Sequence, residues 1–193
     1  MRRVEAIGKR KAPVIEILPF RRKKVGIVIT GSEIYEKRIK DRSAEIVKQK
    51  VESFGSRVVK SVIVPDDARK IGQEIQKMKA QDCQVIVTTG GLSVDPDDRT
   101  LAGIRSSGAE VVSYGAPVLP GSMSVYARLG QTVILGAPAC VVHDPVTALD
   151  IFLPRVLADD PISVKEVARL GHGGLCLKCP VCRFPVCPFG RNG

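Results

Sequence analysis

The chain has 193 residues, is 44% hydrophobic and carries a net charge of +10, which suits one well-filled core with short additions. It has no tryptophan and only 4% aromatic residues, a composition that argues against stacking-based binding of single-stranded nucleic acid. No apolar run approaches the roughly 18 residues of a membrane-spanning helix, and the basic N-terminus lacks the apolar stretch of a secretion signal, so the expectation is a cytoplasmic protein without membrane contact.

Residues 1–24 hold nine Lys or Arg against two Glu. This basic arm is read first as a solvated tail and second as a contact for nucleic acid or an acidic partner. Its one apolar run, Val14-Ile-Glu-Ile-Leu18, is closed by Pro19 and is expected as an edge strand or an extended arm. Residues 24–29 read as a first buried strand. Asp41 or Ser43 caps a helix running to about Phe54, with Ile46, Val47, Val51 and Phe54 on one face, and Gly55 ends it. Residues 57–64 form a second strand, broken by Pro65-Asp66-Asp67. Ala68, Ile71, Ile75 and Met78 mark a second amphipathic helix, and residues 84–88 a third strand. A short helix over 100–106 is closed by Gly108 and followed by a strand over 110–113.

Residues 114–124 are rich in Gly and Pro and read as a loop. Residues 124–129 and 132–135 are expected to form a hairpin around Gly130-Gln131. Residues 136–143 read as another loop, 145–157 as a helix and 163–170 as a shorter one. This alternation predicts right-handed crossovers and a three-layer α/β/α fold with a mostly parallel central sheet, followed by a short Cys-rich tail. The expected division is an arm over 1–23, a domain over 24–158, and a linker with a metal knuckle over 159–193.

The segment from Val85 to Thr100 carries the most chemistry. An apolar, β-branched run ends in Gly90-Gly91, Ser93 follows, and Asp95, Asp97 and Asp98 precede a helical pattern. Glycines let a backbone approach a ligand closely, and loop amides and a helix N-terminus can hold an anion. The carboxylates would repel a bare phosphate and suggest a metal ion or hydroxyl groups at the same place. Thr30, Gly31 and Ser32 repeat the strand-to-glycine layout. If the first and third strands are neighbours, both turns face one crevice at the carboxyl ends of parallel strands.

These pieces, taken in order, carry a family resemblance. They are Thr30-Gly-Ser-Glu33, Asp41 opening a helix, Val64-Pro-Asp-Asp67, Thr88-Thr-Gly-Gly-Leu-Ser-Val94 with Asp98, Leu119-Pro-Gly-Ser122, and Gly136-Ala-Pro138. Residues 24 to about 158 resemble the molybdopterin-binding domain of molybdenum-cofactor biosynthesis proteins, among them the molybdotransferase, molybdopterin adenylyltransferase and gephyrin. The Gly-Gly-Leu-Ser-Val loop is closest to the molybdotransferase version. That enzyme carries large further domains, and its turn before the last helix usually reads Gly-Asn-Pro where this chain has Gly136-Ala137-Pro138.

The resemblance implies binding of molybdopterin or its nucleotide form. Thr30, Gly31, Ser32, Gly90, Gly91 and Ser93 would supply donors, and Pro120, Gly121, Ser122, Gly136 and Pro138 two further walls. Asp41 and Asp98 match the family's acidic positions and would handle Mg²⁺ or molybdate; read from residues alone they are a helix N-cap and a first-turn carboxylate. Cys140 and His143 lie beside the second wall and are not read as catalytic. Two enzyme readings follow, molybdate insertion and adenylyl transfer from Mg-ATP. A non-catalytic carrier or regulator docking onto a molybdoenzyme or biosynthetic partner is a third reading, and a nucleic-acid regulator a fourth. A homo-oligomer, a trimer, is implied by the family alone.

The tail adds Cys176, Cys179, Cys182 and Cys187 at C-x2-C-x2-C-x4-C spacing. Four thiolates at such spacing can complete a tetrahedral zinc shell or hold an iron–sulfur cluster, and a metal would supply folding energy to a segment too short for a core. His172 is a spare ligand candidate. The knuckle is expected to order the tail against the domain rather than to build the pterin pocket.

Overall fold

The computed structural model describes residue 5 and residues 15–36, 38, 40–93, 95 and 98–191. Val14 of the arm's apolar run, Val94 and Asp97 lie outside the described residues, as does the basic arm up to Val14 apart from Glu5. The described part of the expected edge strand, residues 15–18, forms none, and Ile15 and Ile17 are exposed.

In chain order the elements are β1 (Lys24–Thr30), α1 (Ser32–Tyr35), α2 (Ser43–Ser53), β2 (Arg57–Val64), α3 (Ala68–Ala80), β3 (Val85–Thr89), α4 (Thr100–Ser106), β4 (Glu110–Tyr114), β5 (Val125–Leu129), β6 (Thr132–Ala137), α5 (Ala148–Leu157) and α6 (Val164–Arg169). Short 3-10 turns occupy Ala139–Val142 and Leu170–Gly173. The six strands form one sheet in the order β2-β1-β3-β6-β5-β4. β2, β1, β3 and β6 run parallel, while β5 pairs antiparallel with both β6 and β4. No helix among the described residues is long and apolar enough to cross a membrane.

Strand periodicity divides the core into two layers. Val25, Ile27 and Ile29 of β1 face α2, α5 and α6, where they pack with Val47, Val51, Phe152, Leu153 and Val167. Val28 and Ile86 face the other side, with Ile71, Ile75 and Met78 of α3 and Ile104 of α4. Gly26 lets α3 approach that second face. A Cβ there would stand 2.4 Å from Met78 Sδ, an overlap that packed side chains relieve only by moving.

Helix starts follow their caps. Asp41 accepts the amides of Ser43 and Ala44, each at 3.0 Å, and Asp67 accepts that of Lys70 at 2.9 Å. The last long helix begins at Ala148 rather than Pro145, because Thr147 and Asp150 form a reciprocal capping box. β6 continues through Gly136 and Ala137, which the sequence reading placed in a loop. Gly136 can sit there because a Cβ would meet Leu92 at 2.7 Å and Val125 at 2.8 Å. Residues beyond 158 share the domain's core: Ile162, Val167, Leu170 and Phe189 are all buried in the α2–α5 layer.

Candidate functional site

The parallel strands bring three loops to one edge. Ile29 of β1 lies beside Thr89 of β3, and Thr89 beside Ala137 of β6, so the chain leaves all three strands side by side. The turns after β1 and β3 touch. Gly90 has φ +87°, and a Cβ on it would fall 2.1 Å from the carbonyl oxygen of Thr30; only glycine fits such an approach. The Thr30 and Thr100 hydroxyls are 2.7 Å apart, and Thr100 Oγ1 donates to the Gly90 carbonyl at 3.0 Å. Thr30 is 1% exposed, so its hydroxyl braces the two turns from within.

A cleft of about 430 Å³ opens at this edge, lined by Leu92 and Ser93, by the loop from Leu119 to Met123, and by Pro138, Cys140 and Asp144. Gly121 (φ +107°) seats its loop on the start of α5: a Cβ would come within 2.7 Å of Ala148 N, and the Pro120 carbonyl accepts that amide at 3.1 Å. Among the described residues, the backbone N–H groups of Ser122 and Met123 have no acceptor within the chain. Burial, and then the nearby Asp144 charge, push the Cys140 thiol above its ordinary pKa.

Of the expected site residues, Ser93, Pro120, Gly121, Ser122 and Pro138 line this cleft together. Thr30, Gly31, Ser32, Gly90 and Gly91 form the contiguous turns behind it and are not among its lining residues, and Gly136 is buried within β6. Both oxygens of Asp41 are engaged at the start of α2, where the Ser43 hydroxyl also donates at 2.6 Å. Asp98 folds back within its own loop to accept the amide of Ser93, and the Ser93 hydroxyl accepts the amide of Asp95. His143 is exposed beside the cleft and His172 is exposed in a 3-10 turn.

One residue of this edge was read only as part of a motif and a strand break. Asp66, after β2, accepts the amide of Ser32 through Oδ2 at 2.8 Å. Its Oδ1 is buried without a hydrogen-bond partner, 3.4 Å from where a Cβ on Gly91 would stand. The signal available in sequence was position: Pro65-Asp66-Asp67 follows the strand next to β1. A buried carboxylate oxygen facing a glycine turn is costly unless it is paired, and it fits a cation.

The tail reaches the same cleft, contrary to the expectation that it only packs beside the domain. Leu175 bridges Leu119, with Leu119 N donating to Gly174 O at 2.7 Å and Cys176 N to Leu119 O at 2.9 Å. Leu175, Cys176 and Lys178 therefore line the cleft together with Pro120–Ser122. Lys178 pairs with Asp144 at 3.2 Å.

A mostly parallel α/β sheet with glycine turns and a cleft at its carboxyl edge defines a ligand-binding domain of the doubly wound type. Residues 26–172 match the family model described as "Probable molybdopterin binding domain", and the chain belongs to that family. A molybdopterin molybdenumtransferase from Synechococcus elongatus is 24% identical over 163 residues, covering 79% of this chain and 39% of the relative. A CinA-like protein from Thermotoga maritima is 35% identical over 78 residues, 40% of this chain and 19% of the relative. The chain thus spans well under half the length of these relatives. Among solved structures, one of MogA superposes with a TM-score of 0.58 at 22% identity, covering 72% of this chain and 100% of that one. MoaB from Thermus thermophilus gives 0.54 at 19% identity, over 72% and 98%.

Proposed function

We propose that this chain binds molybdopterin or its nucleotide-linked form in the cleft between the Ser93 turn, the Leu119–Met123 loop and Pro138. The observation that carries the reading is the convergence of Ser93, Pro120, Gly121, Ser122 and Pro138 on one cleft in a member of this family. The free amides of Ser122 and Met123, with the Lys178 ammonium across the cleft, suit the ligand's terminal phosphate. The half-buried, neutral Cys140 and the apolar Leu92 and Leu119 suit its ring system.

Mg²⁺ fits beside Asp66, whose buried Oδ1 lacks a partner, with Asp98 as the second carboxylate of that edge. There the ion would supply the positive charge that either adenylyl transfer from ATP or molybdate insertion requires. Asp41 belongs to the start of α2 on this reading. Binding within cofactor synthesis, transfer or sensing is the function proposed, with molybdate insertion as the chemistry suggested by the likeness to the molybdenumtransferase. The four tail cysteines are proposed as thiolate ligands of zinc or an iron–sulfur cluster. The chain is proposed to work in the cytoplasm as a homotrimer, delivering or receiving cofactor from a partner enzyme; sedimentation at micromolar concentration tests the oligomer.

The test of binding is anaerobic fluorescence titration with molybdopterin released from a molybdoenzyme. Ser122→Asp places a negative charge at an exposed cleft position and should weaken binding at least roughly tenfold without changing stability. No binding by the wild type, or equal binding by the variant, would reject the reading.

A further inference from the structure

The tail has features that pterin binding does not use. Residues 174–191 contain no helix or strand, yet they are fastened at both ends. Leu175 and Cys176 pair with Leu119, while Gly190 N donates to Gly173 O at 2.9 Å and Phe189 is only 4% exposed. Between these anchors Leu177, Val181 and Val186 are 71%, 70% and 79% exposed. A segment that leaves such side chains in water gains little from burial to offset the entropy of ordering it. Metal binding supplies ordering energy to segments of this kind.

All four cysteines border one hollow of about 170 Å³, whose other walls include Val146, Leu177, Phe184 and Phe189. Lys178 closes the turn between Cys176 and Cys179 with φ +50°, a left-handed conformation uncommon for a lysine. Among the described residues no three His, Cys, Asp or Glu side chains converge closely enough to hold a single ion. One zinc ion draws its thiolates to about 2.3 Å, which brings the sulfur atoms within roughly 4 Å of each other and leaves no hollow between them. An iron–sulfur cluster takes four thiolates at the corners of a larger core and suits an apolar lining. Asp144, Leu175, Cys176 and Lys178 border both this hollow and the cleft.

We infer that Cys176, Cys179, Cys182 and Cys187 hold one iron–sulfur cluster in this hollow, and that the loaded cluster forms a wall of the cleft. The cluster narrows the metal reading given above to one class and does not depend on what the cleft binds. Loading fixes Cys176 as a ligand and thereby the Leu119–Leu175 pairing and the position of Lys178, so the tail covers the cleft on the side of Cys140.

The test is anaerobic reconstitution of the full chain with ferrous iron and sulfide, in parallel with zinc. The expected product is brown and contains iron and acid-labile sulfide in equal amounts. A Cys179→Ser, Cys182→Ser double variant, at two exposed positions, should take up neither and keep the circular dichroism of the metal-free wild type. Loading should slow alkylation of Cys140, read by peptide mass spectrometry, by roughly fivefold or more in the wild type and not in the variant. Zinc uptake without sulfide-dependent iron uptake, or four freely titrating thiols after reconstitution, overturns the cluster. A loaded cluster with an unchanged Cys140 rate overturns the wall. A loaded protein that shields Cys140 yet binds no molybdopterin supports this inference and removes the pterin reading instead.

Discussion

Asp66 and Ser32 clasp each other across the ends of β2 and β1: the Ser32 amide donates to Asp66 Oδ2 at 2.8 Å, and the Asp66 amide to Ser32 Oγ at 3.3 Å. The clasp uses one carboxylate oxygen and leaves the other buried and unpaired beside Gly91. That unpaired oxygen is the one to which the proposed Mg²⁺ would bind.

Asp66→Asn is therefore expected to behave unlike an ordinary loss of a buried acid. The amide oxygen can still accept the Ser32 amide, and the unpaired charge disappears, so stability in the absence of metal should stay equal or rise. If Mg²⁺ binds beside Asp66 it raises the melting temperature of the wild type, and that rise should be missing in the variant. Differential scanning calorimetry with and without Mg²⁺ measures both effects; a variant that keeps the Mg²⁺ response would remove Asp66 from the ion site.

Asp41 and Asp98 should separate in the same measurements. Asp41 caps α2, so Asp41→Ala should cost about 1 kcal/mol and Asp41→Asn should recover most of it. Asp98→Ala frees the Ser93 amide in an exposed loop, so stability should change little while pterin affinity falls. Urea denaturation and ligand titration on both variants check the contrast. Equal pterin binding by Asp98→Ala and the wild type would assign Asp98 to its loop alone.

Much of the sheet was legible because each strand announces itself locally. The β-branched runs at 57–64 and 85–89, closed by Pro65-Asp66-Asp67 and by Gly90-Gly91, leave few alternatives. Adjacency of β1 and β3 was the condition for two similar glycine turns to face one crevice, and the strand order meets it. Two boundaries were misread for reasons visible afterwards. Thr147-x-x-Asp150 is the cap signal that starts α5, while Pro145, a residue equally at home in a first helical turn, lies outside it. Gly136-Ala137-Pro138 looks like a turn, yet Gly136 is excluded from having a side chain by Leu92 and Val125 inside the sheet. The tail's place on the cleft was not legible at all. It depends on one pairing, Leu119 with Leu175, between two loops with no periodicity and 56 positions apart.

The C-terminal helix should show an acid-sensitive contact. Glu166 closes the α6 capping box, and hydrogen bonds from the Ser163 hydroxyl, then from Arg155, hold its pKa at about 2 against an ordinary 4.5. A carboxylate with a depressed folded pKa contributes stability that is fully present above its unfolded value. That contribution is lost as pH falls from the unfolded value through the folded one, between about 4.5 and 2. Glu166→Gln should lower stability at pH 7 and flatten its decline over this window. Urea midpoints measured across that range for both proteins check the sign, and parallel curves would show that Glu166 contributes nothing to it.

Gly121→Ala tests the seating of the cleft's central loop. The glycine sits at φ +107°, and a Cβ would stand 2.7 Å from both the backbone nitrogen and the Cβ of Ala148. The alanine must either adopt a strained backbone or push the loop off the start of α5, costing on the order of 1–3 kcal/mol. The α5 capping box is made by Thr147 and Asp150 alone, so the helix should survive while the loop shifts. The expected result is a lowered melting temperature together with faster alkylation of Cys140, because another wall of the same cleft has moved. Hydrogen exchange localises the change: exchange should quicken at residues 119–124 and stay unaltered in the middle of α5. Quickening throughout α5 would show that the loop supports the helix rather than the cleft.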